Sequence, residues 1–200
     1  MRALHFGASI SLLGLLPLSA HAQEQRRAPD RVAAARAAIH PVSSDREMQG
    51  WLARVPRTVD YPPDFEAALK GQGSAFVIEM STAPGCLPCG DLWTKLLALK
   101  TRYGLAVRPI GREEAMLRSG RLGLPWIGHP VAWLRPVSDE VRILPIAIGT
   151  DHSANLARNI YLGLKMQTGV RAAVGVRAMA KFTGIVGAPA LSPITRRAKD

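Results

Sequence analysis

Residues 74–104 read SAFVIEMSTAPGCLPCGDLWTKLLALKTRYG, and the fold follows from how this stretch divides. Residues 74–81 form a short, mostly apolar run with Phe76, Val77, Ile78 and Met80 and one charge at Glu79, the pattern of a buried central strand. Residues 86–103 place Leu92, Leu96, Leu97 and Leu99 along one side of a helix that Gly104 ends. Cys86 and Cys89, the only 2 cysteines of the 200-residue chain, stand where strand gives way to helix.

Downstream the alternation continues. Residues 105–110 read as a second strand and 112–119 as a short helix stopped by Gly120. Two apolar runs, 131–135 and 141–148, flank Pro136-Val137-Ser138-Asp139 and predict a hairpin. Thr150 or Asp151 then caps a helix carrying Leu156, Ile160 and Leu164. The expected architecture is α/β, a central mixed sheet in β-α-β-α-β-β-α order with flanking helices. Its first two strands run parallel through a crossover helix and its last two antiparallel.

Upstream, residues 44–55 predict a short amphipathic helix capped by Ser44 or Asp45, with Met48, Leu52 and Val55 on one side. Pro56, Pro62 and Pro63 break the chain, and 64–70 offer another helical turn before Gly71-Gln72-Gly73, read as the domain boundary. Residues 23–38 carry little large apolar content and read as a leader. The expected organisation is residues 1–22 as signal peptide, 23–73 as helical lead and linker, 74–166 as the domain, and 167–200 as a basic Gly/Ala-rich tail. That tail is expected to be disordered or loosely docked. A basic amphipathic helix over 170–182, touching a membrane or a partner, is the alternative.

Residues 1–22 join Arg2, an apolar run through Leu18 and Ala20-His21-Ala22, the pattern of a cleaved secretory signal. An uncleaved anchor is the competing reading, but Ser9, Ser11, Gly14 and Pro17 interrupt a run already short for spanning. Cleavage removes Arg2 and no acid from a chain of formal charge +11. Such a surface draws acidic partners, anionic lipid or acidic protein faces among them, or merely keeps the chain soluble. No basic run is interleaved with aromatics for base stacking, so specific nucleic-acid binding is not expected.

Cysteines so close in sequence close too short a loop to stabilise a fold well. At the start of a helix the chemistry is different. A thiolate there meets unpaired backbone N–H groups and the positive end of the helix dipole, so Cys86 is expected to ionise readily and attack. Cys89, one turn further in, is expected to resolve the mixed disulfide.

Gly85-Cys86-Leu87-Pro88-Cys89-Gly90, the order of elements around it, and Pro130 before the third strand together resemble the thioredoxin superfamily, in particular the Dsb-like oxidoreductases of the bacterial envelope. The resemblance covers about residues 74–165. It implies that Cys86 is the nucleophile, Cys89 the resolving cysteine and Pro130 a cis-proline lining the substrate groove, with His129, Leu87 and Pro88 also facing substrate. Glu79 resembles the buried acid that exchanges a proton with the resolving thiol, although the approach to the motif is one residue longer here. Gly85 replaces the aromatic residue often found before the first cysteine. No cofactor is expected beyond the redox-active disulfide.

Each reading has a plainer rival. The cysteines could bind zinc, but a tetrahedral site needs further ligands, and beyond the signal only His40, His129 and His152 remain as histidines. Pro130 could be an ordinary trans-proline, with Pro125 a weaker candidate for its place. His129 could be a loop histidine, Glu79 a solvent-facing strand end, and Trp93, Trp126 and Trp133 packing residues. The function expected is a periplasmic, monomeric thiol-disulfide oxidoreductase, a reductase or isomerase rather than a strong oxidase. It would act on exported cysteine-containing proteins and be served by a membrane or periplasmic redox partner. The alternative is a binding or assembly module of an envelope conjugation or secretion apparatus.

Overall fold

Three residues of strand, His40–Val42 (β1), open the described part of this computed structural model, which covers residues 38–169 and 182–189. The expected signal segment and most of the leader lie outside the described residues. Ser44 caps helix α1 (Asp45–Leu52), its hydroxyl accepting the Glu47 amide at 3.3 Å, and the helix buries Met48 and Leu52 as their spacing requires.

Helix α2 (Phe65–Gln72) buries Phe65, Ala68 and Leu69 in the same core that receives the central sheet. The segment before it is fastened rather than free. Asn155 accepts the Thr58 amide at 2.7 Å, and Asp64 accepts the Tyr161 hydroxyl at 2.7 Å while pairing with Lys165 at 2.6 Å. The expected boundary at Gly71-Gln72-Gly73 is therefore corrected. Gly73 begins a 3-10 turn, and a Cβ there would lie 2.5 Å from the Tyr103 carbonyl oxygen, so the glycine marks close packing, not a linker.

The central elements then run β2 (Phe76–Ser81), α3 (Leu87–Tyr103), β3 (Ala106–Ile110), α4 (Arg112–Arg121), β4 (Val131–Pro136), β5 (Leu144–Ile148) and α5 (Ser153–Thr168). They build an α/β fold with a mixed four-stranded sheet in the order β3-β2-β4-β5. Strand β2 pairs in parallel with β3, Ile78 opposite Val107, and antiparallel with β4, Ile78 opposite Leu134. Strand β4 pairs antiparallel with β5, the register shifting between Ala132 and Trp133. The two edge strands carry Pro109 and Pro145, tolerable where one side of the strand has no partner to receive an N–H.

Strand β2 is buried along its length and separates two unlike interiors. Phe76, Ile78 and Met80 face Leu92 and Leu96 of α3 and Leu156 and Ile160 of α5 in the main core. On the other face, Ile110, Ala115, Val131, Trp133 and Ile143 form a smaller cluster beneath α4. Period-two alternation thus sends Glu79 away from α3.

Beyond α5, which Gly169 ends at φ 69°, the chain is described again at 182–189. Here the expectation of a loose tail is corrected in part. Residues Ile185–Gly187 form β6, pairing in parallel with β1, His40 opposite Ile185. Ile185 joins Val42, Met48 and Leu52 in a third apolar cluster. The alternative helix over 170–182 falls almost wholly outside the described residues. Among the described residues no helix is long and apolar enough to cross a membrane.

Candidate active site

Helix α3 begins where the chain leaves β2 through a turn in which the Cys86 amide donates to the Ala83 carbonyl at 3.3 Å. Gly85 holds φ 69° in that turn, a conformation costly for any residue with a Cβ. An aromatic side chain at this position would be strained. Cys86 occupies the helix N-cap position and Pro88 the first turn, where an absent N–H is harmless.

Cys86 and Cys89 are joined by a disulfide, with Cα atoms 5.3 Å apart. Cys86 is half-buried, whereas Cys89 is 3% exposed and belongs to the main core. Cys86 is thus the more exposed of the two, and both border one cavity. A cavity of about 620 Å³ opens beside the pair, lined in part by Met80, Thr82, Leu87, Trp93 and Pro109. Of the two residues between the cysteines, Leu87 faces this cavity at 38% exposure while Pro88 is buried against the helix. Leu87 borders the cavity and Pro88 is not among its lining residues.

The His129–Pro130 peptide bond is cis, the only such bond among the described residues; Pro125 is trans. The Gly187 amide donates to the His129 carbonyl at 2.8 Å, and a Cβ on Gly187 would lie 3.2 Å from Cys86 Sγ. His129 and Cys86 therefore flank one glycine. The His129 ring lies edge-on to Trp126 with centroids 4.8 Å apart, and its Nδ1 is buried without a hydrogen-bond partner. Burial, with the nearby Arg112 charge, pushes the imidazole below its ordinary pKa, so it is neutral at neutral pH.

Glu79 requires correction. Its carboxylate is wholly buried on the sheet face opposite the cysteines and accepts from Arg118 Nε at 2.7 Å, Arg135 Nε at 2.6 Å and Arg108 Nη2 at 2.6 Å. Glu114 neutralises part of the excess charge by accepting from Arg108 and Arg118 at 2.9 and 2.8 Å. Burial alone would raise its pKa, but hydrogen bonds from the three guanidinium groups outweigh this and bring it down to about 2. A carboxylate so held stays ionised and is a poor carrier for a thiol's proton. The charge that sequence reasoning assigned to catalysis is the anchor of a buried ion cluster.

The sequence reading missed the strand around Gly187, as well as Met80, Thr82 and Pro109 around the cavity. The signal for the strand was present in Gly184-Ile185-Val186-Gly187, an apolar pair between glycines. Of the tryptophans, Trp93 lines the cavity, whereas Trp126 and Trp133 pack in the cluster beneath α4. Among the described residues no group of His, Cys, Asp or Glu side chains is arranged to hold a metal ion.

Comparison with known proteins returns no match: no family model, no curated protein and no solved structure matches this chain.

Proposed function

We propose that the chain is a thioredoxin-like thiol-disulfide oxidoreductase, exported to the bacterial periplasm, that exchanges disulfides with cysteines of other exported proteins. The observation that carries this reading is the asymmetry of the pair: a half-buried cysteine at a helix start, bonded to a buried cysteine one turn inward, beside an apolar cavity. The strand order β3-β2-β4-β5 and the antiparallel pairing of β4 support the same reading.

In the reducing direction, the Cys86 thiolate attacks one sulfur of a substrate disulfide, forming a mixed disulfide while the other substrate sulfur leaves as a thiolate and takes up a proton. The Cys89 thiolate then attacks Cys86 Sγ, releasing the second substrate thiolate and forming the Cys86–Cys89 disulfide. The substrate gains two electrons and the protein dithiol loses them. A dithiol partner must restore the protein for another turn. The second step is effectively unimolecular because the helix turn holds the two sulfurs close.

The test is reduction of insulin by dithiothreitol with catalytic amounts of the protein. Wild type is expected to shorten the lag before precipitation, and Cys86→Ser to behave as buffer. Equal behaviour of wild type and Cys86→Ser would remove the enzymatic reading and favour a binding module.

A further inference from the structure

Residues 183–188 pass beside Cys86 at Gly187, are not among the residues lining the cavity, and are bonded on both sides. Toward β1, the His40 amide donates to the Gly184 carbonyl at 2.7 Å and the Ala188 amide to the Val42 carbonyl at 3.0 Å. Toward the sheet, the Gly184 amide donates to the Ile148 carbonyl at 2.8 Å, the Thr150 amide to the Ile185 carbonyl at 3.1 Å, and the Gly187 amide to the His129 carbonyl at 2.8 Å. The Thr183 hydroxyl donates to the Thr150 carbonyl at 2.5 Å. The Thr150 hydroxyl in turn donates to the carboxylate of Asp91 in α3, which also holds Lys95. The strap is thus hydrogen-bonded, through Thr150, to the helix that carries the disulfide.

An unpaired carbonyl on an exposed strand edge is a place where an extended peptide can add itself by backbone pairing. Here the His129 carbonyl already has a strand, and it belongs to the same chain. The strap fits because it has no side chain where it passes the sulfur: at Gly187 a Cβ would press on Cys86 Sγ from 3.2 Å. Ile185 and Val186 are 1% and 2% exposed, so the segment is packed rather than resting on the surface.

We infer that this strap sets the substrate class. It closes the His129 edge to strand addition by a substrate backbone and leaves Cys86 open from the Trp93 and Pro109 side, so disulfides that reach the sulfur without pairing their backbone there are favoured over extended chains that would. The inference rests on the oxidoreductase reading and narrows it.

The test compares two reagents on the reduced full-length protein. One is a small aromatic disulfide, 5,5′-dithiobis(2-nitrobenzoate); the other is an unstructured peptide whose central cysteine carries thionitrobenzoate. In both, Cys86 forms the new disulfide and thionitrobenzoate leaves, so one absorbance reads both rates. Two variants loosen the strap. Thr183→Ala deletes the bond to Thr150, and Gly184→Ala drives a Cβ into the Ala38 carbonyl oxygen at a backbone φ of 67°. Thr183→Ala introduces no clash and carries the test if Gly184→Ala does not fold. Loosening is expected to raise the peptide rate about tenfold, the scale set by a lost hydrogen bond, with the small-disulfide rate nearly unchanged. An unchanged ratio of the two rates, or a rise of both in equal proportion, overturns the inference. If wild type reacts no faster than a free thiol, the oxidoreductase reading fails, while the change in ratio still decides whether the strap guards the backbone position.

Discussion

Arg118 donates from Nε to Glu79 Oε2 at 2.7 Å, and both side chains are buried between the sheet and α4. Strand β2 therefore faces the disulfide-bearing helix on one side and an ion cluster on the other. Removing one partner from such a cluster leaves uncompensated charge in the interior. Glu79→Gln is expected to lower unfolding stability by about 3 kcal/mol, measured by denaturant titration. The disulfide-exchange rate per folded molecule should stay at the wild-type value, since the carboxylate lies away from the sulfurs. A slowed exchange in the folded variant would return Glu79 to the mechanism.

The same carboxylate gives the protein a pH signature. Its folded pKa of about 2 lies below the reference value of 4.5, so its contribution is complete above the unfolded pKa and is lost as pH falls through the folded one. That contribution is about 3 kcal/mol, since each tenfold gain in acidity on folding is worth about 1.4 kcal/mol. The difference in stability between wild type and Glu79→Gln should shrink as pH drops from 4.5 toward 2. Buried Asp151, whose pKa is raised mainly by burial, acts in the opposite sense, but it is present in both proteins and cancels from the difference. A difference that does not vary with pH would show that the ion cluster does not set Glu79's titration.

The two cysteines differ in exposure, Cys86 half-buried and Cys89 buried. Cys89→Ser is expected to accumulate a mixed disulfide through Cys86 when mixed with a disulfide substrate, visible as an intact-mass adduct. Cys86→Ser should form no adduct under the same conditions, because Cys89 is 3% exposed. Adducts at equal rates from both variants would contradict the asymmetry.

Asn155 fastens the segment before α2. Its side chain accepts from the Thr58 amide and donates to the Pro56 carbonyl at 2.9 Å and to Asp151 at 2.8 Å. Asn155→Ala strands these groups and is expected to cost about 2 kcal/mol. Amide exchange around Thr58 should accelerate more than exchange in β2. Uniform acceleration would mean that the segment does not open separately from the domain.

Much of this was legible from the chain. The apolar run of β2, the leucine spacing of α3 and the glycine at 104 predict their elements to within a residue or two because those signals are local. The cysteines' place at the strand-to-helix junction is legible for the same reason. Side-chain partnership over long range is not. Glu79 looks like a lone strand charge until Arg108, Arg118 and Arg135 arrive from separate elements. Likewise β6 is only three residues long, and it becomes a strand because β1, far away in sequence, presents a matching edge. Gly73 misled by its type: glycine marks both linkers and tight approaches, and only the Tyr103 carbonyl beside it tells which.

The proposed chemistry requires that in the reduced protein Cys86, at the N-cap of α3, ionise more readily than a free cysteine. The direct measurement is the rate of iodoacetamide alkylation of Cys86 in the reduced protein as a function of pH. The rate should reach half its maximum clearly below about 8.5, the value for a free cysteine, with Cys86 modified ahead of Cys89 by peptide mapping. A rate that rises only around pH 8.5, or modification that begins at Cys89, would contradict it.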